Sequence, residues 1–198
     1  LLLANAKLNR MAAVAVQNQH LKELLDTQHS LGLNVQLARV IGVDLGAYRY
    51  RLVLNMGSRD GVRAGQPVID SRGVMGQVIE VLPHTSVVML VTDPSHAIPV
   101  TIARTGLRTV AYGSRDGGQL SLPNLPLAAD VRDGDQLLTS GIGGRFPPGF
   151  PVGRIDRVAP AATGMFQLAL AQPAADIDRS TDVLLLHDQA EPEGPPAP

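Results

Sequence analysis

The hydrophobic period of the chain changes once. From Leu1 to about Leu33 there is no Pro, and no Gly before Gly32; the stretch is rich in Ala, Leu, Asn, Gln and Lys, a profile that predicts helix. In heptads, Leu1, Leu8, Ala15 and Lys22 take one seam position and Ala4, Met11, Asn18 and Leu25 the other, with Val14 and Leu21 widening the stripe. Such a stripe serves a helix that pairs with another helix or one that lies on its own domain. Self-association through Leu1, Leu8, Met11, Val14, Leu21 and Leu25 is the expectation, because the segment differs sharply from the rest of the chain. Ala, Asn and Lys at the seam make such pairing weak on its own.

Beyond Gly32 the period drops to two, with turns between short segments. Strands are expected at 36–43, 51–55, 67–70, 74–81 and 87–91, the last a continuous apolar run that reads as buried on both sides. Seven more are expected at 98–102, 108–112, 119–122, 136–139, 151–158, 165–170 and 183–186. Leu52 and Leu54 share a face, as do Ile98, Val100 and Ile102, and Phe166, Leu168 and Leu170. Gly57-Ser58-Arg59-Asp60-Gly61 reads as a turn, and Ser71-Arg72-Gly73 as a hairpin connection.

A short pattern occurs twice. Val62-Arg63-Ala64-Gly65-Gln66-Pro67-Val68 is echoed by Val131-Arg132-Asp133-Gly134-Asp135-Gln136-Leu137, and Gly-centred strands around Gly76 and Gly153 come after the two copies. Gly61, Gly65, Gly76, Gly134 and Gly153 are the expected structural turn glycines. The layout is a mainly β chain: a coiled-coil-type helix at 1–33, then two small six-stranded barrels. The first barrel spans 34–97 and is closed by a late strand within 166–187; the second spans 98–165. The Pro-rich tail at 188–198 is expected to be disordered.

Composition narrows the chemistry. The chain has 198 residues, 44% of them hydrophobic but only 3% aromatic, so the cores must be built from Val, Leu, Ile and Ala. A net charge of −1, with no basic block and few aromatics, gives no footprint for nucleic acid. The absence of Cys excludes disulfides, thiolate metal sites and Cys nucleophiles. The five His show no ligand spacing, so neither a metal nor any other cofactor is expected. Nothing signals a small-ligand pocket, and no run of about 18 apolar residues occurs. The chain opens Leu1-Leu2-Leu3, which reads as a piece whose upstream part is missing.

His96, an Asp (Asp130, Asp133 or Asp135) and Ser140 occur in the chain order of a chymotrypsin-like hydrolase. Leu138 stands where that motif has Gly, however, and His96 is too close in sequence to Ser140 for opposite barrels. No catalytic residue is assigned, and Ser140 reads as a loop residue. Asp93-Pro94-Ser95-His96 reads as a turn. Gly141 to Gly144 lack a phosphate-loop pattern. Phe146 and Phe150 beside them, with Tyr48 and Tyr50, are candidate partner-binding aromatics, or else loop residues that cap a core.

Four segments together resemble the rod shape-determining MreC family of bacteria. They are Asn55 to Val62, Gly73 to Val78, Thr92 to Val100, and Thr139 to Gly153, all downstream of the helix. The resemblance runs from the helix to about His187. It implies a single-pass membrane anchor upstream, barrels on the periplasmic side of the inner membrane, and a scaffold role in the cell-elongation complex. It also implies a homo-oligomer, dimer or filament, and contacts with the elongation-specific transpeptidase, RodA, MreD and the MreB system.

Overall fold

A computed structural model describes residues 2–31, 34–46, 49–114, 118–160 and 164–187. The Pro-rich tail for which disorder is expected lies outside the described residues. The chain forms helix α1 (Leu2–Leu31) and then twelve strands. These are β1 (Val35–Gly46), β2 (Arg49–Leu54), β3 (Pro67–Ile69), β4 (Val74–Val81), β5 (Ser86–Leu90) and β6 (Ala97–Ile102). They continue with β7 (Arg108–Gly113), β8 (Leu120–Pro126), β9 (Gln136–Thr139), β10 (Pro151–Pro160), β11 (Phe166–Pro173) and β12 (Asp182–Leu186). Every expected strand is present, with ends shifted by a few residues.

The strands close into two six-stranded barrels, one in the order β1-β12-β3-β4-β5-β2 and the other β10-β11-β8-β7-β6-β9. All pairings are antiparallel. The second barrel therefore runs from Ala97 to Pro173, past the expected boundary at 165, and only β12 returns to the first. Both barrels have one topology. Matching β3, β4 and β5 to β9, β10 and β11, and β2 and β1 to β8 and β7, leaves β12 equivalent to β6. The first barrel is thus a circular permutation of the second, its opening strand moved to the end of the chain.

The strand buried on both faces is β12, not β5. In β5 burial alternates, with Val87 and Met89 half-exposed between Ser86, Val88 and Leu90. All five residues of β12 are buried. Val183 and Leu185 enter the first barrel's core, while Leu184 and Leu186, with Ile69 and Val74, join the core of the second. An unbroken apolar run is what a strand wedged between two cores requires. In β11 the inward positions are Ala169 and Ala171, and Phe166, Leu168 and Leu170 face outward, because a small barrel leaves room for only small side chains at some levels. Leu52 and Leu54, and Ile98, Val100 and Ile102, point inward.

The crossover from β11 to β12 is tied down by Asp70, which is 2% exposed. Its Oδ1 accepts from the backbone N–H of Arg72 and Gly73 at 2.8 and 2.9 Å, closing its own hairpin. Its Oδ2 accepts from Asp176 N–H at 2.7 Å and Ser180 Oγ–H at 3.1 Å. One buried carboxylate with four donors joins the β3–β4 turn to the returning chain.

Candidate functional site

The helix is the first candidate surface. His20 Nε2 donates to the Asp182 carbonyl at 3.2 Å, and Leu21 is half-buried, so α1 touches the first barrel beside β12. Leu8, Met11, Val14 and Leu25 stay exposed, Leu8 and Met11 at 64% and 63%. Four of the six expected association residues thus lie on open helix surface; Leu1 falls outside the described residues. Between helix and barrel lies a groove of about 1040 Å³, lined on one side by Val16, Gln19 and Glu23 and on the other by Arg39, Arg72 and Arg179.

The loop between β9 and β10 resolves the second candidate. Phe146 and Phe150 are 5% and 8% exposed and belong to the second barrel's core, so they cap it and are not presented to a partner. Thr139 fastens this loop. Its backbone N–H donates to Phe150 O, its carbonyl accepts from Gly149 N–H, its Oγ1–H donates to Pro147 O, and Oγ1 accepts from Phe150 N–H. Tyr50 is half-buried against the first barrel's core, with its N–H donating to Asp93 Oδ2 at 2.9 Å. Tyr48 falls outside the described residues.

His96, read from sequence as a turn residue, is 4% exposed and stacks edge-on against Phe146 at 6.2 Å between centroids. Among the described residues neither ring nitrogen has a hydrogen-bond partner. Burial pushes its pKa down to about 4, with Asp93 opposing the shift and Arg145 adding to it. The turn itself forms as expected, Asp93 Oδ1 accepting from Ser95 N–H at 2.8 Å. No triad assembles: Ser140 Oγ accepts from Ile142 N–H within its own loop, and Asp130 and Asp135 are engaged elsewhere. Arg104 binds Asp135 and Asp130 together, and its hydrogen bonds hold both carboxyls below the usual range. Among the described residues no group of three His, Asp or Glu gathers as metal ligands would.

The repeated motif builds the same turn in both barrels. Gly65 and Gly134 have φ of +93° and +89°, and donate their N–H to Val78 O and Ile155 O, both at 2.7 Å. The side chains one residue on, Gln66 and Asp135, accept from the backbone N–H of Arg63 and Arg132 at 3.0 and 2.9 Å. Gly76 and Gly153 then pair with Val68 and Leu137, the last residue of each copy. Gly61, Gly65 and Gly134 are turn glycines with positive φ, whereas Gly76 and Gly153 sit within strands β4 and β10 and not in turns. Sequence reasoning missed a further exposed apolar group, Leu127, Met165 and Phe166, where β11 begins opposite the end of β8; the only signal was alternation along β11.

The model of the family described as "Rod shape-determining protein MreC, barrel core" matches residues 40–187. The cell shape-determining protein MreC of Haemophilus influenzae is 40% identical over 186 residues, 94% of this chain and 53% of its own length. The chain spans about half the length of the curated relatives it matches. The crystal structure of MreC from Pseudomonas aeruginosa superposes with a TM-score of 0.74 at 42% identity, over 78% of this chain and 99% of that one. An MreC from Helicobacter pylori, solved as a complex with penicillin-binding protein PBP2, shares the fold at a TM-score of 0.61 and 15% identity, over 78% of this chain and 98% of that one. Two closed six-stranded barrels behind a helix, matched by the family's barrel-core model and by a relative at this identity, place the chain in the MreC family of cell shape-determining proteins.

Proposed function

We propose that this chain is the periplasmic part of a non-enzymatic scaffold of the cell-elongation complex, which self-associates through α1 and offers its barrels to peptidoglycan-synthesis proteins. The observation that carries the reading is the exposed stripe of Leu8, Met11, Val14 and Leu25 on a helix of 30 residues, about 45 Å long at 1.5 Å per residue. Apolar side chains at heptad spacing lose contact with water when two such helices pair. The engagement of Ser140, Asp130 and Asp135 in local structural bonds supports the non-enzymatic part.

The complex of the Helicobacter pylori MreC with PBP2 supports a transpeptidase as one partner. Leu127, Met165 and Phe166 offer an apolar surface for such a contact. RodA, MreD and the MreB system belong to the same proposal, as partners that the family resemblance implies. No helix among the described residues is long and apolar enough to cross a membrane. Sedimentation equilibrium tests the association. Dimers or larger species are expected in the wild type, and at least about a tenfold weaker association in Leu8→Asp plus Met11→Asp, given the cost of charges at a helix seam. A wild type that stays monomeric at high concentration sinks the self-association.

A further inference from the structure

Where the two barrels meet, a cleft of about 460 Å³ opens between the first repeat turn (Arg63, Gly65, Gln66), the second barrel's Gly-rich loop (Gly144, Arg145) and His187. Its lining is one-signed. Among the described residues no Asp or Glu borders it, and neither Arg63 nor Arg145 has a carboxylate partner. The wall is fixed: His187 Nδ1 accepts from Gln66 Nε2 at 3.2 Å while its Nε2–H donates to Gln36 Oε1 at 3.0 Å. Two free guanidiniums, planar and weakly hydrated, suit carboxylates, which they bind bidentately.

We propose that this cleft is a docking site for the chain's own acidic segment, residues 188–198. His187, which lines the cleft, is the residue from which that segment departs. The segment carries Asp188, Glu191 and Glu193 and no Lys or Arg, so its charge is opposite to that of the cleft. Pro192, Pro195, Pro196 and Pro198 bias it toward extended polyproline geometry at about 3.1 Å per residue, which lowers the entropy lost on docking. Attachment at the cleft's rim also makes the binding intramolecular, with an effective concentration on the order of millimolar, so individually weak ion pairs suffice.

The chain has no Cys, so a nitroxide at Ala197→Cys labels a single site of the full chain. Relaxation of the backbone amides of Gly65, Gly144 and Arg145 is then read by NMR. The expected result is enhancement at these amides in low salt that falls at least about threefold in about 0.5 M salt, where charges are screened. It should fall likewise in R63E/R145E, and to a lesser extent in R63Q/R145Q, which keeps the test valid if charge reversal disturbs the fold. Enhancement that is absent at low salt, or equal in the wild type and both double variants, overturns the proposal.

Discussion

At the scale of single residues the most consequential side chain is His96. Its buried ring has no partner for either nitrogen among the described residues, and its pKa is lowered from 6.5 to about 4. Between those values the unfolded chain binds the proton and the folded one does not, so stability rises with pH. The stabilisation is complete above pH 6.5 and is lost as pH falls toward 4, by about 3 kcal/mol for a shift of this size. The carboxyls whose pKa is lowered by Arg104 act only from the usual carboxylate range downward, outside most of this window. Urea midpoints from pH 7 to pH 4 should therefore drop in the wild type and stay nearly level in His96→Leu, which cannot titrate; parallel curves would refute the assignment. The Asp93-Pro94 turn was legible in the sequence because its cause is local. The burial of His96 was not, since it depends on Phe146, far away in the chain.

At the scale of elements, the duplicated motif was legible in the amino-acid sequence because its physical causes are short-ranged. A left-handed glycine and a side-chain acceptor build one turn twice, at Gly65–Gln66 and Gly134–Asp135. Paired glycines one strand later serve a different need: at Gly76 a Cβ would run into the Met89 carbonyl, and at Gly153 into that of Gln172. The two kinds of glycine should respond differently. In Gly65→Ala the new Cβ meets nothing closer than Gln77 Nε2 at 3.8 Å. Only the left-handed backbone then opposes it, at a cost on the order of 1–2 kcal/mol. Gly76→Ala forces the neighbouring strand backbone to move and should cost more, about 3 kcal/mol. Chemical denaturation of both variants checks the order, and equal losses would mean that β4 and β5 can separate freely at this level. Strand placement was read correctly throughout, whereas the reading of β5 as buried on both sides was not. An apolar run does not by itself show that both faces of a strand are covered: β5 and β12 each carry one, and only β12 lies between two cores.

At the scale of the whole molecule, the permuted topology explains why the first barrel needs a strand from beyond the second. It also makes a prediction about folding. Leu186 of β12 lies opposite Val35 of β1, and His187 N–H donates to Asn34 O at 2.9 Å, so the end of β12 already sits where a hairpin would enter β1. In the second barrel the equivalent strands β6 and β7 are joined by such a hairpin, across residues 103–107. A chain running Asp182 to His187, then a short Gly-rich linker, then Asn34 to Asp93 should consequently close the first barrel without the second. Ile69, Val74, Leu184 and Leu186 lose their partners in the second core, so its stability should be lower than that of the same barrel in the whole chain. Hydrogen exchange gives the readout: protected amides in β1 through β5 and β12 are expected. The same residues without the transplanted β12 should exchange freely, because an open five-stranded sheet leaves two edges unpaired. If the permuted chain exchanges freely too, the core shared with the second barrel, and not closure by β12, is what holds the first barrel together.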